Sequence, residues 1–352
     1  MRSHLFAASA GPTRSRLRRW GAVSIAMVTA ATVMGTAAGC SEGDSAAAPA
    51  SNADGTTAVT VGAVSNGAAT ETTISVPQVA AIRAELPKEV LDGGALTIGI
   101  GALPAGSAPL AFVGTDQKTL TGSEPDLGRL VAGVLGLRAE ITNATWDNLF
   151  VGIDSGRSDV GFSNVTVTEA RKDKYDFASY RKDNLAFEVL ESSSWNFDGN
   201  PDSLAGKTVS VSSGTNQEKI LLEWRQQLQA KGKTFTVKYF PDSSAVALAL
   251  QSGKIDTYFG PNPSIAYHIR QTASTPKPTR DAGTYSGAGQ TLQGLIAATT
   301  KKGSGLVKPL ADALNYLISN GQYSKWLAAW NLSNESVTSS QINPPGLPRT
   351  NS

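Results

Sequence analysis

The sequence predicts an α/β protein whose folded part forms two lobes around a cleft, on three observations. From about residue 95 to residue 334, short β-rich runs alternate with helical patterns, which argues for layered α/β structure with largely parallel sheets. The strand, glycine turn and helix logic starts a second time at "DSLAGKTVSVSSGTNQEK", residues 202–219. About 240 residues are enough for two small hydrophobic cores.

The elements are taken in chain order. The first 39 residues read as an export signal: an arginine-rich lead through "RSRLRRW", an uncharged apolar stretch "GAVSIAMVTAATVMG", then small residues before Cys40. The apolar stretch is short for a membrane span, so a cleaved signal is expected. "AAGC" resembles a bacterial lipobox, with Ala37 where leucine is usual. It implies a lipidated Cys40 at the mature N-terminus, anchored on the extracytoplasmic face of the cell membrane; the alternative is an ordinary signal peptide cut nearby. Cys40 is the only cysteine in the chain, which excludes an intrachain disulfide. Residues 40–86, rich in Ala, Ser, Thr, Gly and Asn, show no sustained apolar period and are expected to form a flexible tether.

Strands are expected at 95–100 ("ALTIGI"), 138–142, 159–163, 185–191, 208–212, 234–240, 255–260 and 294–300. Helices are expected at "EPDLGRLVAGVLG", "NQEKILLEWRQQLQAKG", "SSAVALALQSG", "GSGLVKPLADALNYLISNG" and "QYSKWLAAWNL". Two short crossings, near 180–184 and 282–286, would join the lobes and allow hinge closure. The expected division is 87–182 for the first part of lobe 1, 183–284 for lobe 2, 285–335 for the return to lobe 1, and 336–352 for a disordered tail.

One short segment carries chemistry. In "SNVTVTEARKDKYDFASY", residues 163–180, Thr168 reads as a helix N-cap, which puts Arg171 at about the third helical position. A cation is unfavourable at that end, by a few tenths to ~1 kcal/mol, unless an anion compensates. A bound carboxylate held between free N–H groups and the guanidinium would do so. The alternative is a surface arginine paired with Asp173 or Asp176.

Other chemistries are set aside. The five arginines before Cys40 face no acid, leaving 26 basic against 29 acidic residues and a charge near −3, which argues against a nucleic-acid surface. "LAGKT" at 204–208 lacks the earlier glycine of a phosphate-binding loop, since Pro201 stands there. His268 is the only histidine after Cys40, and no G-x-S-x-G elbow accompanies it, so neither a histidine-rich metal site nor a hydrolase triad is expected. No carboxylate pair stands out as acid and base.

Four fragments in order, "WDNLFVGIDSGRSDVGFSNVTVTEARKDKYDFA", "DSLAGKTVSVSSGTNQEK", "ALALQSGKIDTYFG" and "LADALNYLISNGQYSKWLAAW", make the chain from Leu96 to about Trp330 resemble the family 3 extracellular solute-binding proteins. These are the amino-acid-binding receptors of ABC importers. The resemblance implies a two-lobe periplasmic-binding-protein-like fold of type II, with two hinge crossings and a ligand cleft between the lobes. It implies that the ligand carboxylate is held by Arg171, Thr166, Thr215 and Asn216, the last through its backbone N–H. It also implies a backbone carbonyl at Asn164 and the hydroxyl of Thr166 for the ligand ammonium, with Trp146 packing on the ligand. Trp146 read alone is a core residue anchoring its helix, and Trp195, Trp224, Trp326 and Trp330 suggest packing only.

The sequence departs from the family in two places. The family's ammonium-binding carboxylate, five residues after Asp256, falls on Pro261; Asn262 next to it offers an amide. A buried ammonium needs a charged or very well arranged partner. Either another acid such as Glu124 or Glu188 enters the site, or the ligand is not an ordinary α-amino acid. The family's aromatic residue in the first loop aligns with Ser107, which leaves one wall open.

The resemblance therefore implies a lipid-anchored receptor, not an enzyme, that binds an amino acid or related carboxylate-bearing solute for a membrane ABC permease. No cofactor, metal or nucleic acid is expected, and a monomer is. The alternatives are a small-molecule lyase or dehydratase on the same fold, and a ligand sensor for a membrane receptor.

Overall fold

The computed structural model describes residues 55–350. The expected signal segment, Cys40 and the first part of the expected tether lie outside the described residues. The described chain opens on a hairpin, β1 (Thr56–Val61) and β2 (Thr72–Pro77), followed by two short helices, α1 (Ala80–Arg83) and α2 (Lys88–Gly93). Next come β3 (Ala95–Leu103), a small hairpin of β4 (Phe112–Val113) and β5 (Leu120–Thr121), α3 (Ser123–Val134), β6 (Arg138–Thr145), α4 (Trp146–Asp154) and β7 (Val160–Gly161). The long strand β8 (Tyr175–Leu190) leads to β9 (Thr208–Ser210), α5 (Asn216–Ala230), β10 (Thr236–Lys238), α6 (Ser243–Gln251), β11 (Thr257–Pro261) and α7 (Asn262–Thr272). The chain returns through β12 (Thr279–Ser286) and β13 (Gly294–Lys301) to α8 (Val307–Ser319) and α9 (Gln322–Ala329).

One sheet runs in the order β10-β9-β11-β8-β13-β7-β3-β6, with β12 also on β8. Each end is parallel: β3 pairs with β6 and β7, and β9 with β10 and β11. These are helix-crossover units, because parallel neighbours need a long connection that covers the sheet face. The middle is antiparallel, through β7–β13, β13–β8, β8–β11 and β8–β12. The expectation of a largely parallel sheet is corrected here, because the strands that carry the chain between the two halves run against their neighbours.

β8 changes partner within one residue: Asp183 pairs with Gly294 of β13, and Asn184 with Ser286 of β12. On one side lies a core built from β3, α3, α8 and α9, including Ile98, Leu127, Leu310 and Trp326. On the other, Phe187, Val209, Ile220, Trp224 and Phe259 form a second core. The fold is α/β in two cored halves, joined at the partner switch of β8 and along the return from β12 to β13.

Two expectations about the ends are overturned. Residues 56–86 are not a tether: in the β1–β2 hairpin Val59, Val61, Ile74 and Val76 are each at most 2% exposed and pack on the first core. The alternating valines and threonines of "TTAVTV" and "TTISVP" place one apolar row inward. A chain starting at residue 87 would leave that face of the core bare. We expect Ile74→Ala to destabilise the protein by about 2–5 kcal/mol in a denaturant melt, whereas a tether residue would change nothing.

The tail after residue 336 is likewise ordered. Asn343 donates its N–H to the Phe177 carbonyl (2.8 Å), Leu347 donates to the Val167 carbonyl (3.0 Å), and Glu169 donates to the Leu347 carbonyl (2.9 Å). Leu347 is fully buried against the second core. The polar, proline-rich composition hides this segment because its order comes from backbone pairing with a distant part of the chain.

Candidate functional site

Between the two halves lies a cavity of about 380 Å³, within the usual size range for small-molecule sites. One wall comes from the end of β3 and the loop after it, Gly101–Ser107, and from Glu124, Trp146, Ser163 and Asn164; the other comes from Ser212, Thr215, Asn216, Ser243, Tyr258 and Pro261. Ser107, Asn164, Trp146, Thr215 and Asn216, separated by more than a hundred residues, thus share one space.

The second-half rim is the start of α5. Thr215 is its N-cap, its hydroxyl accepting from the Glu218 N–H (3.3 Å) and donating to the Ser212 carbonyl (2.6 Å). The Glu218 carboxylate reaches back to the Gly214 N–H (2.6 Å), a reciprocal arrangement like a capping box. Gly214 has φ +74°, a conformation that glycine adopts without steric cost. Its carbonyl consequently points across the divide, where it accepts from the Trp146 indole N–H (3.1 Å) and more weakly from Arg171 Nη2 (3.4 Å). Trp146 opens α4, whose N-cap is Thr145, and stands edge-on to Phe150 at 5.1 Å.

Arg171 lies in a single 3-10 turn, Arg171–Asp173, and not in the longer helix expected; its N-cap is Ala170 and not Thr168, whose hydroxyl nonetheless accepts the Arg171 N–H at 3.0 Å. Its guanidinium donates to the Thr166 carbonyl (3.0 Å) and sits 5.4 Å from the Trp146 ring and 5.3 Å from the Phe150 ring. Neither neighbouring acid is its partner: Asp173 pairs with Arg349, and Asp176 accepts from the Gly303 N–H and from Asn343. Among the described residues Arg171 makes no salt bridge, and burial lowers its pKa to about 10, opposed by the fields of Asp183 and Tyr175. A half-buried guanidinium held only by carbonyls and aromatic faces retains capacity for a carboxylate. Arg171 lines a groove of about 450 Å³ with Gly214, Thr215 and Asn216, next to the main cavity but outside its wall.

Thr166 and Asn262 are also off the main cavity wall. The Thr166 hydroxyl is buried and donates to Asp183 (2.7 Å), and the Asn216 side-chain amide donates to Asp183 (3.2 Å) and the Gly287 carbonyl (3.0 Å). The Thr166 hydroxyl, implied by the resemblance as a ligand contact, is thus bonded to an internal carboxylate. Asp183 stands at the partner switch of β8, and burial raises its pKa against the favourable effects of Thr166, Arg181 and Arg171. Nothing in "RKDNL" marks it, since adjacent charges in a strand usually alternate outward.

A second missed feature is a buried ionic network. Arg181 donates to Glu124 (3.0 Å) and forms close contacts with Glu335 and the Asn164 amide oxygen; Tyr180 donates to Glu124, which also accepts the Asn164 N–H (3.1 Å). Glu124, Arg181 and Glu335 are at most 1% exposed. Burial raises the Glu335 carboxyl, opposed by Arg181. The network fixes Asn164 in a left-handed conformation, φ 52°, on the cavity wall. Asn262 points to Glu335 (3.5 Å).

The charges on the wall have one sign. Among the described residues Glu124, Asp147 and Asp242 line the main cavity, and no lysine, arginine or histidine does. Pro261 is on the wall, uncharged, and Glu124 brings an acid to the same space. Glu188 lies instead in an adjoining compartment, bonded to His268. Among the described residues no group of His, Cys, Asp and Glu could hold a metal ion.

Two cored α/β halves with a cavity between them, lined by polar and apolar groups, define a protein with room for a small solute. The chain belongs to the bacterial extracellular solute-binding proteins, family 3, which it matches over residues 100–333. It is 28% identical over 249 residues to the L-cystine-binding protein TcyJ of Escherichia coli, covering 69% of this chain and 86% of that one. It is 25% identical over 268 residues to the arginine-binding protein ArgT of Corynebacterium glutamicum, covering 76% and 84%. An ancestral arginine-binding protein, solved with arginine bound, superposes with a TM-score of 0.58 at 25% identity, over 67% of this chain and 98% of that one. The fold is the type II periplasmic-binding-protein-like fold that the resemblance implied.

Proposed function

We propose that this protein is an extracytoplasmic receptor that closes on an amino acid and delivers it to a membrane ABC permease, tethered by a lipid on Cys40. The observation that carries the reading is the convergence of Ser107, Trp146, Asn164, Thr215 and Asn216 on one cavity, with Arg171 beside it lacking a carboxylate partner. In this reading lobe 1 comprises 87–182 and 285–335, augmented by the 56–77 hairpin, and lobe 2 is 183–284. The ligand carboxylate displaces the long Arg171 contact to Gly214 and takes the guanidinium together with N–H groups at the start of α5. Thr166 acts through Asp183 and Arg171 and not by direct contact. The acid wall of Glu124, Asp147 and Asp242 supplies the field for the ligand ammonium that the proline at 261 does not, the charge of Glu124 being shared with Arg181, and Asn164 supplies an acceptor. Ligand that touches both halves favours the closed state, because only there are both sets of contacts made.

Among the described residues no helix is long and apolar enough to cross a membrane, so in this reading anchoring falls to Cys40. The test is a thermal-shift screen of the full-length chain against amino acids, amines and plain carboxylates, with calorimetry on the hits. Ligand at a hundred times its Kd should stabilise by about 2.7 kcal/mol, and the bound amino acid should be recovered unchanged. Binding confined to carboxylates without an ammonium would sink the amino-acid reading, and turnover of the ligand would favour a lyase on the same fold.

A further inference from the structure

The main cavity does not end at Tyr258. A second compartment of about 220 Å³ adjoins it, and Ser107, Ser243, Val246 and Tyr258 line both. Its polar feature is the contact between the Glu188 carboxylate, on β8, and Nδ1 of His268, on α7. Glu188 is 3% exposed, an uncommon place for a carboxylate without a structural or binding purpose. The hydrogen bond to Glu188 raises the imidazole pKa.

We propose that this compartment is a subsite for a second zwitterionic head group, so that the preferred ligand is an elongated amino acid carrying an ammonium and a carboxylate at each end. The inference rests on the amino-acid reading above and goes further, to the substrate class. A carboxylate bonded to an imidazole presents an acceptor beside a group that can donate, and the bond to Glu188 favours the protonated ring. One Glu188 oxygen holds His268, which leaves the other for an ammonium; when the ring carries its second proton, the form that Glu188 favours, Nε2–H is left for a carboxylate. A ligand end carrying a cation alone would gain from Glu188 but face repulsion from the imidazolium; an apolar end would leave both groups desolvated without a partner. Ser264 and Ser107, hydroxyl to hydroxyl at 2.8 Å, add neutral donors and acceptors along the passage. The two compartments together exceed what a short amino acid fills, and Ser107 lines both.

Calorimetry on the full-length chain with three probe types tests this: two-headed (cystine, cystathionine, diaminopimelate), single-headed with a distal cation (arginine, lysine), and short single-headed (serine, alanine). Two-headed probes should bind at least tenfold tighter than either other type. Glu188→Gln and His268→Gln should each remove at least tenfold of that affinity while changing serine or alanine binding less than twofold. Equal affinity for arginine and the two-headed probes, or variants that leave two-headed binding intact, would overturn the subsite while leaving the receptor reading in place. Failure of every α-amino acid to bind would overturn both. If the variants do not fold, the ranking of probes on the parent chain decides.

Discussion

Arg171→Ala is expected to weaken amino-acid binding by about 1.5–3 kcal/mol, roughly 10- to 150-fold in Kd, the range for hydrogen bonds to a charged group. Alanine would remove its bonds to the Thr166 and Gly214 carbonyls, two aromatic contacts and a favourable field on the buried Asp183, but among the described residues no salt bridge. Thermal stability should consequently change much less than affinity. Arg171→Lys should recover part of the loss, because an ammonium keeps the charge and gives up the two parallel bonds. Calorimetry on both variants reads this directly. Unchanged affinity in Arg171→Ala would remove the guanidinium from the site and assign the ligand to the main cavity alone.

The largest effect on stability is expected from Arg181→Ala. Its guanidinium sits between two carboxylates, Glu124 and Glu335, all three at most 1% exposed. Removing the cation leaves two buried acids facing each other, and breaking a buried pair typically costs about 3–5 kcal/mol. That is a large part of the 5–15 kcal/mol by which a domain is usually stable. Acidification should partly rescue the variant, since a protonated carboxyl needs no counter-charge. Replacing all three, with Arg181→Met, Glu124→Gln and Glu335→Gln, should be less damaging than the single change. Urea unfolding followed by circular dichroism measures each. A loss under 1 kcal/mol for Arg181→Ala would mean that water reaches the acids and the network is not closed.

The contrast between legible and illegible parts follows the range of the forces. The helices expected around 124–136, 216–232 and 243–253 occur at Ser123–Val134, Asn216–Ala230 and Ser243–Gln251, because an apolar stripe and its caps are local in sequence. The strands at 95–100 and 294–300 are apolar runs and were legible for the same reason. β12, "TRDAGTYS", has no such run; it is a strand because β8 offers it an edge. The β1–β2 hairpin was masked by small residues, although its valines alternate. At Arg171 the nearby threonine hydroxyl that takes its N–H is legible, but the cap at Ala170 and the end after one 3-10 turn are not, since the chain there turns into β8.

By itself the sequence determined the α/β class, the family resemblance and the second cycle at residue 202. Each is written in periodicity, spacing or motif. Only the tertiary structure decided that Asp183 holds the Thr166 hydroxyl, that Glu124 reaches the wall where Pro261 stands, and that Glu188 faces His268 across an adjoining space. These pairs are 17 and 80 residues apart where they bond. Burial and the meeting of charges depend on which strands pair and how the halves close, and no local pattern in the chain records either.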